Sequence, residues 1–160
     1  MTIVVKYEGI DGETKIKGFE KYIEVDSFQI GLGRHISSAR GTSTREGGEV
    51  SISEITCTKK TDGTSVKLFT EACTGKMNKK VDYKFLRTGA GEPQEFLSFE
   101  TNGTGISGMS FSASGGSDSR PMESLSFNFD KISIKYNPIG DDFTGSPENW
   151  GWDLATSSKL

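Results

Sequence analysis

The most chemically suggestive stretch of the chain is Gly103-Thr-Gly-Ile-Ser-Gly108, a literal G-x-G-x-x-G that follows the strand-like run from Phe96 to Glu100. In a dinucleotide site that loop opens a helix, whose first N–H groups hold the pyrophosphate. Here Met109-Ser-Phe-Ser-Ala-Ser-Gly-Gly follows, which alternates and then breaks. Without the helix the glycines read as turn residues, and no cofactor is expected.

Other reactive types are scattered. His35 is the single histidine, and Cys57 and Cys73 lie too far apart for a structural zinc pattern. Both cysteines read as buried free thiols. A catalytic triad would need His35 beside a nucleophile and an orienting acid, and no Gly-x-Ser-x-Gly elbow is present. Asp141-Asp142 sits in a Pro/Gly-rich loop, where adjacent acids are ordinarily solvated. Asn102-Gly-Thr104 is a formal glycosylation sequon, void without a secretory route. No catalytic residue and no metal site are expected. Arg34, His35, Arg40 and Arg45 put positive charge in one loop with Glu46 and Glu49. No aromatics interleave with them as single-strand nucleic-acid binding requires, so they read as a solvated loop or a contact with another copy of the protein.

The elements that position these residues are mostly strands. A chain of 160 residues is a single-domain length, and Gly, Ser and Thr make up about a third of it, which favours strands and turns over helix. A net charge of −3 gives no drive towards nucleic acid. No apolar run is long enough to span a bilayer, and the first residues do not resemble a signal peptide. Alternation marks half-buried antiparallel strands at Ile3/Val5/Tyr7, Val81/Tyr83/Phe85, Leu97/Phe99 and Leu125/Phe127/Phe129.

In three stretches the alternation changes phase: across Asp26–Ser27, across Ser53–Glu54 and across Asp130–Lys131. Side chains in a strand alternate strictly, so each change requires a bulge or a strand passing between packing layers. Such bends let a small sheet curl into a barrel or turn corners. One helix is expected from Thr64 to Gly75, with Val66, Phe69 and Cys73 on its stripe, Leu68 and Ala72 beside it, Thr64 as cap and Gly75 in a left-handed terminal turn. Polar loops are expected over residues 31–49, 107–121 and 137–149.

Taken in succession, these stretches resemble the Hcp family, the haemolysin-coregulated tube proteins of bacterial type VI secretion. The resemblance rests on Ile23-Glu-Val-Asp-Ser-Phe-Gln-Ile-Gly31, a Gly/Ser-rich loop, and Val50-Ser-Ile-Ser-Glu-Ile-Thr-Cys-Thr-Lys59. Glu71-Ala-Cys-Thr-Gly-Lys76 follows, then Phe96 to Phe99, Ser126-Phe-Asn-Phe-Asp-Lys-Ile-Ser-Ile-Lys-Tyr136 and Gly151-Trp-Asp-Leu154. It runs through the whole chain, residues 1–160, as one domain. The loop over residues 31–49 departs from the family in carrying arginines.

The resemblance implies a mainly β fold: a small two-sheet β-barrel with one flanking α-helix, shared with phage tail tubes. It implies homohexameric rings stacked into a tube, effector proteins carried in the lumen, a trimeric spike above and a contractile sheath around. Such a protein is expected in the bacterial cytoplasm before firing, then secreted without a signal peptide, with no membrane insertion. If Phe28 and Ile30 point inward, Gln29 points out, and Ser27 and Gln29 become the expected lumen contacts. Arg34, His35, Arg40 and Arg45 form the expected ring-stacking loop. The rival readings are a phage-type tail tube and a cytosolic small-molecule-binding β-barrel, with an enzyme third.

Overall fold

The computed structural model describes residues 1–36, 47–87, 91–116, 118–138 and 146–160. The elements run β1 (Thr2–Tyr7), β2 (Ile23–Val25), β3 (Ser27–Gln29), β4 (Leu32–Ile36), β5 (Gly47–Ile52), β6 (Ile55–Lys60) and α1 (Ser65–Thr74). They continue with β7 (Lys79–Arg87), β8 (Gln94–Ser112), β9 (Met122–Asn128), β10 (Lys131–Tyr136), β11 (Glu148–Asp153) and β12 (Ser158–Lys159). The first sheet has the order β12-β11-β10-β8-β7-β1-β2; the second pairs β3 with β6, β6 with β9, and β9 with β8. β4 and β5 form a separate hairpin, and every pairing among the described residues is antiparallel.

All three phase changes mark places where the chain leaves one sheet for another. β2 pairs with β1, whereas β3 pairs with β6, and between them the Asp26 N–H donates to the Thr58 carbonyl at 2.7 Å. β5 belongs to the hairpin and β6 to the second sheet. β9 pairs with the second half of β8, β10 with its first half. Neighbour-to-neighbour contacts therefore come full circle through β1, β2–β3, β6, β9, β8 and β7, with the chain itself making the step at Asp26. In place of the expected closed barrel the described strands form two sheets joined at corners, with no hydrogen-bonded ladder between β2 and β3.

The glycine motif is the second device for turning those corners. Gly103 to Gly108 lie inside β8 rather than in the turn their composition suggests. Gly103 has φ +63°, and a Cβ there would sit 2.4 Å from an Asp130 carboxylate oxygen. A Cβ on Gly105 would collide with the Met77 sulfur, and the register shifts between Ile106 and Gly108. A long strand passing between sheets needs positions without side chains where other backbone closes in, and the motif supplies them.

The core between the sheets is aromatic. Phe28 packs against Tyr83, Phe85 and Phe99 with ring centroids 5.1–5.4 Å apart, and Phe127 reaches Tyr83 and Tyr7. Cys57 is fully buried there, which pushes its thiol up to about 12.

Helix α1 departs from its expected facing. Leu68 is the buried apolar anchor, with Ala72 packed beside the core, while Val66, Phe69 and Cys73 face outward. Cys73 is thus an exposed thiol, against expectation. Phe69 instead meets Phe111 on the surface. The cap is also different: the Asp62 carboxylate, not Thr64, accepts from the Thr64 N–H at 2.8 Å and from the Thr64 hydroxyl. Thr64 has helical backbone angles and makes no side-chain cap bond, and Gly75 is extended at φ −68°, ψ 156°. The helix ends by pairing the Gly75 N–H to the Glu71 carbonyl.

Candidate functional site

Two surfaces stand out. His35 is an exposed residue of β4, and Cys57 is buried in the core. Among the described residues no three or more His, Cys, Asp or Glu gather as metal ligands would. Asp141 and Asp142 lie outside the described residues.

The first surface is the face of the second sheet turned away from the core. Strand register fixes its composition: with Phe28, Cys57, Leu125 and Met109 inward, their neighbours must point out. Across the four strands the outward rows pair Ser27 with Thr58, Gln29 with Thr56, Thr58 with Ser124, Thr56 with Ser126, and Ser124 with Ser110. Ser27 and Gln29 are exposed, and Ser27 shares a hydrogen bond with Thr58. Phe28 packs inward on three aromatic rings, which puts Gln29 on the outward side, while Ile30, expected inward as well, lines the apolar groove described below. The rows are hydroxyl-rich and uncharged until they reach Glu54 at one end and Lys60 at the other. Among the described residues β3 pairs only with β6, and residues 105–112 of β8 pair only with β9. Both edges of this sheet thus present backbone groups to a further strand.

The second surface is an apolar groove of about 390 Å³. The base of the β4–β5 hairpin supplies Ile30, Leu32 and Ile52, and the β10–β11 edge supplies Ile134, Trp150 and Trp152. Trp150 and Trp152 stack with centroids 5.5 Å apart. Leu32 is 74% exposed and Trp150 47%. Leu32 and Trp150 with Ile134 form an apolar patch that a lone subunit leaves wet.

Residues 31–49, read as a loop, contain most of that hairpin. Every described residue of β4 is exposed, Arg34 donates from Nε to the Gly48 carbonyl at 2.9 Å, and His35 neighbours it. A two-stranded hairpin is marginal in water on its own. Arg40 and Arg45 lie outside the described residues. The structure therefore brings Arg34 and His35 together on one strand and leaves Ser27 and Gln29 on a different surface.

Sequence reasoning missed a buried polar cluster beneath the helix. Lys59 Nζ donates to Glu123 Oε2 at 3.0 Å, to Asp62 Oδ1 at 3.1 Å and to the Lys60 carbonyl at 3.0 Å, while the Ser65 hydroxyl donates to Glu123 Oε2 at 2.6 Å. Burial pushes the Asp62 carboxyl up, but the Thr64 hydrogen bonds and the Lys59 ammonium outweigh it and hold it below the usual range. The signal was parity: Lys59 shares the inward phase of Ile55 and Cys57, and Glu123 that of Leu125 and Phe127.

The chain matches the model of the type VI secretion system effector family Hcp over residues 4–136. Among solved structures it is similar to a type six secretion system protein at 28% identity, TM-score 0.89, covering 99% of each chain. It is also similar to Hcp1 from Salmonella typhimurium at 19% identity and TM-score 0.78, covering 99% of this chain and 98% of that one. Hcp2 from the same organism aligns at 20% identity and TM-score 0.69, covering 97% of each. No curated protein matches the chain.

Proposed function

The chain belongs to the Hcp family of type VI secretion, and on that premise we propose that it is the subunit of a non-enzymatic secreted tube, closing as rings of six that stack end to end. The observation that carries this reading is the pair of edges on the second sheet that no other described strand fills, at β3 and at residues 105–112 of β8. Unlike edges on one sheet suit a heterologous, head-to-tail contact, and such a contact closes into a ring when the rotation between copies permits. Edge joined to edge, the sheet would continue from copy to copy, with its outward hydroxyl face as the lumen wall.

Ser27 and Gln29 then face the bore as contacts for effector proteins. The apolar groove at Leu32, Ile134 and Trp150 is the flank covered by the next copy. The hairpin with Arg34 and His35, together with Arg40 and Arg45, reaches towards the adjoining ring. A trimeric spike caps the tube and a contractile sheath surrounds it, so the protein resides in the cytoplasm until firing and is then secreted. Against the small-molecule barrel stands the packed interior, where Phe28, Tyr83, Phe85 and Phe99 fill the space a ligand would need.

Negative-stain images of the purified protein test the reading. Annular particles are expected, and featureless single-subunit particles would overturn it.

A further inference from the structure

We propose that the wall formed by this sheet face holds its cargo without regard to the cargo's charge. The inference rests on the ring reading above and concerns what that bore can select.

Ser27, Gln29, Thr56, Thr58, Ser124 and Ser126 are the outward residues of three adjoining strands, fixed in place by register. None carries a charge, and the ionisable side chains of the β6 row stand only at its ends, as Glu54 and Lys60. Hydroxyl and amide groups both donate and accept, so each position satisfies either kind of polar group on a protein surface. Five of the six are Ser or Thr, whose short side chains lose little rotamer freedom on contact. Contacts of this kind are individually weak, and in a ring they are repeated by every copy, so retention comes from multiplicity. Ion pairs would instead impose a sign preference and a dependence on salt. The bore therefore retains folded proteins by many neutral hydrogen bonds.

The test uses one folded helical probe protein of about 10 kDa prepared in two surface-charge versions, net about +8 and about −8, titrated against the assembled protein at ~50 and ~500 mM NaCl. Dissociation constants within about twofold of each other, and changing less than about threefold with salt, are expected. A preference of about tenfold for either sign, loss of binding at high salt, or no binding of either probe overturns the inference. Ser124→Glu, at the middle of the wall, should create a preference of at least about tenfold for the positive probe. Ser124→Lys should create the opposite one, and unchanged binding in both variants would show that cargo does not touch this face. Sedimentation of the same samples separates the two levels: intact rings with charge-selective binding sink this inference alone, whereas isolated subunits sink the ring reading with it.

Discussion

Lys59 and Glu123 are directly opposed in the β6–β9 ladder, with Nζ and Oε2 3.0 Å apart and both side chains sealed from water. Through Asp62 and Ser65 the same pair grips the start of α1, so the helix is fixed to the second sheet by charge as well as by Leu68. Removing one partner strands the other charge in the interior. Lys59→Ala should therefore cost about 3–5 kcal/mol in denaturant unfolding, whereas Lys59→Met with Glu123→Leu should fall near wild type or above it. A double variant as unstable as the single one would show that the pair contributes more than it loses in desolvation.

Asp62 gives the cluster a pH signature. Its folded-state carboxyl lies below the ordinary range, so the stability it contributes is complete above the unfolded carboxylate value and is lost as pH falls through the folded one. Asp62→Asn should lower stability at neutral pH and flatten the decline on the acid side, read as midpoints of urea unfolding from pH 7 to pH 2. An acid limb as steep as wild type would remove Asp62 from the account.

The exposed apolar groove separates folding from assembly. Leu32→Asp changes a side chain that is 74% exposed, so unfolding should shift by no more than about 0.5 kcal/mol. In a ring the same carboxylate would be buried without a partner, at a cost of several kcal/mol for each interface. Gel filtration should show the variant folded and unassembled. Intact assembly would place the groove on the outside of the tube.

The basic loop makes a different prediction. Arg40→Glu with Arg45→Glu should weaken stacking between rings while leaving each ring and its unfolding midpoint unchanged. Arg34→Glu should also loosen the hairpin, because Arg34 holds the Gly48 carbonyl. Tubes of undiminished length in the first variant, seen by electron microscopy, would take both arginines out of the stacking contact.

Much of the architecture was legible in the residues because alternation is a strict rule. The breaks at Asp26, Glu54 and Asp130 became the passages between sheets, and the outward position of Gln29 followed from its alternation with Phe28 and Ile30. What stayed hidden depended on partners far along the chain. The stripe of Val66, Phe69 and Cys73 obeyed helical spacing, yet the core took Leu68 and Ala72 instead, since periodicity names a face without saying which one meets the sheet. Gly103 to Gly108 looked like a turn because a strand needing side-chain-free positions at a corner has the same local composition. Lys59 and Glu123 were visible by parity but charged, and only their mutual pairing explains why a core accepts them. The groove could not be foreseen, since it joins the hairpin base to an edge about a hundred residues later.

The central claim is that this chain closes on itself as a ring of six, and native mass measurement at micromolar concentration tests it most directly. The account predicts a dominant species of about 104 kDa, six times the 17.4 kDa chain. A sole species at 17.4 kDa across the concentration range would contradict it.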